Sequence, residues 1–224
     1  MLSIDFQDFR KNKTKEEKIK FHEMRVFELV FSEKIVEYGL SIDNIQMIRI
    51  LCLANEKKNF TYQKAEEIGE VTVEVPYDFR EFTALKSTEE KFYEFKRLIY
   101  EYVLPIFIEF SNFPEEVVEE TITESLNQIV LQNYEIVFLV GKTPKKSPDR
   151  KKIAILRGVH QVSGFRLYCE VYNSKGIRIL NKLLIKEVGN EGVYARFLGD
   201  MKWENESLIT VKSRSSSWQE ILEV

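Results

Sequence analysis

The chain has 224 residues, of which 44% are hydrophobic and 31% charged, with a formal net charge of −3. That composition supplies a substantial core and excludes a disordered chain. The near balance of charge argues against a dedicated nucleic-acid binder, which carries a clear basic excess.

Residues 1–20 read as a charged arm. Within it, RKNKTKEEKIK at 10–20 is a mixed charge run, either a solvated arm or a short helix. The opening MLSIDFQDFRKNK lacks the apolar segment of a secretory signal. No apolar stretch approaches the ~20 residues that span a bilayer. A soluble, cytoplasmic protein without a membrane partner is expected.

Residues 24–76 read as N-terminal strands: Met24 to Phe31, Asn44 to Ala54 and the alternating EVTVEV of Glu70 to Val75. Gly39, Asn55 and Gly69 punctuate them. Met24–Tyr38 also fits a helix, because its apolar residues match either period for part of its length.

A helical hairpin is expected over 77–133. Ser87 and Glu90 form a capping box. Phe92, Phe95, Leu98, Ile99, Tyr102, Val103, Ile106 and Phe107 then fall at helical spacing. Pro105 should kink or end that helix. A second helix starts at Pro114 with core face Val118, Ile122, Leu126 and Ile129. Glu115, Glu116, Glu119 and Glu120 crowd its first turns, where they complement the helix dipole.

Residues 134–224 read as an antiparallel meander. Tyr134–Val140 leads through the loop GKTPKKSPDRKK to Ile153–Val159. Phe165, Leu167, Cys169 and Val171 alternate with Arg166, Tyr168, Glu170 and Tyr172. Val193, Ala195 and Phe197 alternate in the same way with Tyr194, Arg196 and Leu198. Turns are marked at Ser163-Gly164, Asn173 to Gly176, Gly189 to Gly192, Gly199-Asp200 and Asn205. The expected fold is a single α+β domain over 1–224, an antiparallel β-meander with two central helices packed on the sheet.

Few residues suggest chemistry. Gly141-Lys142-Thr143 resembles the end of a phosphate loop, but Ile136 stands where that pattern needs glycine. Pro148-Asp149 opens a nuclease-like pattern, yet Glu170-Val171-Tyr172 has tyrosine where lysine is required. Asp200-Met201-Lys202 has the right residue types but lies at an expected turn. The six basic residues of the 141–152 loop suit a phosphate, an acidic protein patch or a mobile, solvated loop, and no aromatic lies among them to stack a base. His160, near a turn, reads as a locally bonded histidine, and His22 has less support still as a general base. Cys52 and Cys169 sit in apolar runs, as small buried hydrophobes in a reducing compartment do. With no CxxC pair and two histidines, no metal or cofactor is expected.

The polar face of the meander is the stronger candidate. Arg166, Tyr168, Tyr172, Tyr194, Arg196 and Trp203 would cluster there as a protein-binding surface, since Tyr, Trp and Arg anchor interfaces. Glu115, Glu116, Glu119 and Glu120 form a rival surface for a basic partner.

Three stretches carry a resemblance: VPYDFREF (Val75–Phe82), CEVYNSKGIRIL (Cys169–Leu180), and MKWENESLITV (Met201–Val211) with Trp218. In these the chain resembles the small bacterial immunity proteins encoded beside polymorphic toxins. The resemblance implies a non-enzymatic protein that binds a toxin domain and blocks it without chemistry. Two other readings stay open: a structural or regulatory subunit of a phage or mobile-element assembly, and a hydrolase or nuclease with a dispersed site.

Overall fold

The computed structural model describes residues 2–54 and 60–224. Asn55, read above as a break, lies outside the described residues. The fold class is α+β. The chain divides into two compact units, Met1–Tyr134 and Glu135–Val224.

The first unit is built on a four-stranded mixed sheet. Its strands are β1 (Ser3–Asp8), β2 (Met47–Cys52), β3 (Thr61–Ala65) and β4 (Glu70–Val75), in the order β1-β2-β4-β3. β1, β2 and β4 run parallel, and β3 pairs antiparallel with β4. One face is apolar and buried: Ile4 and Phe6, Ile48 and Ile50, Val71 and Val73. The other carries half-buried Asp5, Gln7, Arg49, Thr72 and Glu74.

Two expectations for this region are corrected. The start of the presumed charged arm is β1, because Ile4, Phe6 and Asp8 alternate inward just before the basic run. The arm proper follows β1 and ends in α1 (Lys15–Lys20), which has no buried residue and starts at a Thr14–Glu17 capping box. Met24–Phe31 is not a strand. It belongs to a short 3-10 turn (Phe21–Met24) and α2 (Arg25–Glu37), whose buried Val26, Phe27, Val30, Phe31 and Ile35 repeat at helical spacing. Parallel pairing of β1 with β2 requires such a crossover.

The helical region follows the sequence more closely. α3 (Arg80–Ala84) precedes α4 (Thr88–Leu98), which the expected Ser87–Glu90 box caps. Next comes a π-helical turn, Ile99–Val103, and then α5 (Leu104–Phe110) with Pro105 in its first turn. Proline lacks the N–H that would bond one turn back and its ring crowds that carbonyl, so the helix widens there. α6 (Glu115–Leu131) follows Pro114. The helices cover this unit's own mixed sheet: Phe95 of α4 meets Phe6 of β1 edge-on at 5.9 Å and Phe27 of α2 at 5.6 Å. The sheet beneath them is therefore mixed, where an antiparallel meander was expected.

The second unit is two antiparallel sheets around one core. β5 (Glu135–Leu139), β7 (Lys152–Gln161), β8 (Gly164–Asn173) and β9 (Arg178–Glu187) are neighbours in that order, and the short β6 (Lys145–Lys146) also pairs with β7. β10 (Gly199–Trp203), β11 (Leu208–Ser213) and β12 (Gln219–Glu223) form the second sheet. Leu156, Leu167, Cys169 and Val171 meet Met201, Ile209, Val211 and Leu222 between them.

Two segments differ from expectation here. Val193–Leu198 is not a strand: Asn190 caps the short α7 (Glu191–Tyr194), and a 3-10 turn follows over Ala195–Phe197. A side-chain cap at Asn190 outweighs six residues of alternation. Gly199 and Asp200 do not form a turn but begin β10. A Cβ on Gly199 would lie 1.8 Å from the Lys212 carbonyl oxygen, so only glycine allows that approach.

Candidate functional site

The five-stranded sheet of the second unit has two different faces. Inward, Ala154 pairs with Val171, Leu156 with Cys169, and His160 with Phe165. Outward, Ile153 pairs with Tyr172, Ile155 with Glu170, Arg157 with Tyr168, and Val159 with Arg166.

Glu170 organises the outer face. Burial alone would raise its carboxyl pKa, but the Tyr172 hydroxyl and then the Arg157 guanidinium outweigh that and hold it below the usual carboxylate range. Arg157 donates to Glu170 Oε1 from Nε at 2.9 Å and from Nη2 at 2.7 Å. Tyr172 donates its hydroxyl to Oε2 at 2.6 Å, which raises the phenol's own pKa. Arg178 stands 3.5 Å from Oε1. The Arg157 guanidinium also lies 5.0 Å from the centre of the Tyr168 ring. Two tyrosines and two arginines are thus fixed before any partner arrives. Val137, Leu139, Ile153 and Leu183 add exposed aliphatic surface on β5, β7 and β9.

The six residues expected on this face separate. Arg166, Tyr168 and Tyr172 lie on it, half-buried. Tyr194 is in the core, 5% exposed, stacked on Phe165 at 3.9 Å with its hydroxyl 3.4 Å from His160 Nδ1. Trp203 is 8% exposed in β10 and donates its indole N–H to the Lys145 carbonyl at 3.1 Å. Arg196 is exposed on its 3-10 turn and pairs with Glu187 at 3.0 Å, beside the inward residue Phe165. The false strand at Val193–Leu198 misplaced Tyr194 and Arg196. Sequence reasoning missed Arg157 and Arg178. Parity held a signal for Arg157, since Ala154 and Leu156 are core and odd positions of β7 point outward.

In the first unit, α6 brings Glu115, Glu116, Glu119 and Glu120 together as expected, all exposed. No Lys or Arg occurs in α6, and none of these four carboxylates has an ion-pair partner among the described residues. A shallow cleft of about 780 Å³ is lined by Tyr38, Glu116, Glu119, Glu120, Thr123 and Glu124.

The remaining motifs take structural places. Gly141 adopts φ +67° and Thr143 bonds back to the Val140 carbonyl, so a tight turn rather than a helix follows β5. The basic loop is anchored at three points, with Ser147 2% exposed, Lys145 bonded to the Met201 carbonyl and Lys152 to the carbonyls of Glu206 and Val224, while Lys142, Lys146, Arg150 and Lys151 are exposed. Asp149 is held by Ser147, and Asp200 by Arg214. His160 lies inside β7 rather than in a turn, while His22 packs beside Phe21. Both cysteines are buried and unbridged, and burial pushes the Cys169 thiol up to about 12. Among the described residues no group of three His, Cys, Asp or Glu side chains could hold a metal, and no helix is long and apolar enough to cross a membrane.

No family model, curated protein or solved structure matches this chain. The functional reading therefore rests on the surfaces themselves.

Proposed function

We propose that this is a non-enzymatic protein-binding protein, an immunity protein that neutralises a cognate bacterial toxin in the cytoplasm. The antiparallel meander of the second unit is its binding platform. The observation that carries this reading is the Glu170-centred outer face. It combines rigid Tyr168 and Tyr172, the arginines Arg157 and Arg178, and exposed aliphatic neighbours. Interface hot spots have that composition, and side chains already held in place lose little freedom on binding. The resemblance in CEVYNSKGIRIL supports the same surface, because that stretch spans the β8–β9 hairpin.

The unpaired glutamates of α6 favour a second docking surface for a basic partner. Such a contact would act by steering, and its strength would fall with salt.

Co-expression with the toxin tests the choice. Tyr168→Ala with Tyr172→Ala should abolish rescue of growth. Neutralising Glu115, Glu116, Glu119 and Glu120 to Gln should leave rescue intact. Loss of rescue in the glutamine variant alone contradicts the sheet-face reading and transfers the site to α6.

A further inference from the structure

The charged stretch Asp8–Lys13 takes no part in either partner surface. It follows the carboxyl end of β1. The carboxyl ends of β2 and β4 lie alongside, because the three strands are parallel neighbours. The crevice outside such strand ends is where open α/β sheets hold ligands. A cleft of about 500 Å³ opens at this edge, with Phe9, Arg10, Lys11, Leu53, Ala54 and Arg80 in its lining.

The charges around it are sorted by depth. Asp8 is anchored inside, its side chain 1% exposed, and accepts from Arg10 Nε at 2.9 Å and Nη2 at 2.8 Å. Glu17 takes Arg10 Nη1 at 2.7 Å. Asp78 holds Arg80 through Nε at 2.8 Å, but the Asp78 side chain is 20% exposed against 59% for Arg80. Asp8 lies beneath Arg10 and Asp78 beneath Arg80, whereas Glu17 is more exposed than Arg10, so the positive charge that reaches solvent at this cleft is that of Arg80 and Lys11. Among the described residues Arg80 Nη1 makes no hydrogen bond and the exposed Lys11 has no ion pair. Beside these cations lie the Phe9 ring, 58% exposed, and the side chain of Leu53.

We propose that this cleft binds a small organic anion. Lys11 and Arg80 take an oxyanion head, phosphate or carboxylate, and Phe9 and Leu53 pack against an apolar or planar body. Arg10, locked by Asp8 and Glu17, fixes the loop. Ammonium and guanidinium groups are the standard donors to such heads, and charge-assisted bonds are the strong ones.

The test is titration of the full-length protein with phenyl phosphate and, separately, with benzoate, followed by amide NMR. Saturable shifts are expected at Phe9–Asn12, Leu53, Ala54 and Arg80. Affinity should fall about tenfold or more in the double variant Lys11→Gln, Arg80→Gln. Lys11→Gln alone, which breaks no bond, should move affinity the same way. Saturation by phenyl phosphate assigns a phosphate head, and saturation by benzoate alone a carboxylate head. Shifts scattered over the whole surface, no saturation with either probe, or unchanged affinity in the variants would overturn the site.

Discussion

Glu28 is a buried acid with a structural task. β1 is an edge strand, and its outward N–H groups need acceptors. Glu28 Oε1 accepts from the Phe6 N–H at 2.9 Å, and Ser32 Oγ, one turn on along α2, accepts from the Ile4 N–H at 3.0 Å. Burial pushes the Glu28 carboxyl up to about 7, against the pull of Arg25 and with a smaller push from Asp5. A raised folded-state pKa means the neutral acid is favoured in the fold. The stabilising contribution is therefore complete below the ordinary carboxyl value near 4.5 and is lost as pH rises through about 7. Denaturant unfolding should show stability falling over that window by on the order of 3 kcal/mol. Glu28→Gln, which keeps an acceptor, should flatten the fall, and an unchanged pH profile in that variant would contradict the assignment. The Tyr172 hydroxyl is a smaller case. Tyr172→Phe removes one bond to Glu170 and should cost about 1 kcal/mol in the same measurement.

At the scale of elements, legibility follows the length and redundancy of the pattern. α4 was readable because a capping box and an eight-residue apolar stripe agree, and every residue of that stripe is buried. Leu98→Ala should accordingly cost ~2–5 kcal/mol in denaturant unfolding; a change below ~0.5 kcal/mol would show the stripe is not core. β4 and β8 were readable from strict alternation. β1 was hidden because its six residues run straight into the basic stretch, whose charge dominated the reading. α2 was ambiguous because Val, Phe and Ile suit both periods, and only pairing between distant strands decided for a helix. α7 shows the converse error. Four helical residues under an Asn190 cap mimic alternation, and that placed Tyr194 and Arg196 on a face they do not share.

For the whole molecule, the order of strands, helices and strands was visible, as was the change from helices to strands at 133–134, but not that it separates two compact units. No glycine-rich or low-complexity linker marks it; α6 gives way to β5 across three residues. Half of the candidate surface was legible for a related reason. Parity assigns Arg166, Tyr168 and Tyr172 to one face of β8, whereas Arg157 and Arg178 join them only through the register of β7 and β9. The proposed function rests on this face binding a protein partner. Its most direct test is calorimetry between the purified protein and the product of the gene beside its own, comparing wild type with Tyr168→Ala, Tyr172→Ala. Wild type should bind tightly, and the variant should lose ~2 kcal/mol or more, about thirtyfold. Equal affinity for the two proteins, or no binding by wild type, would contradict it.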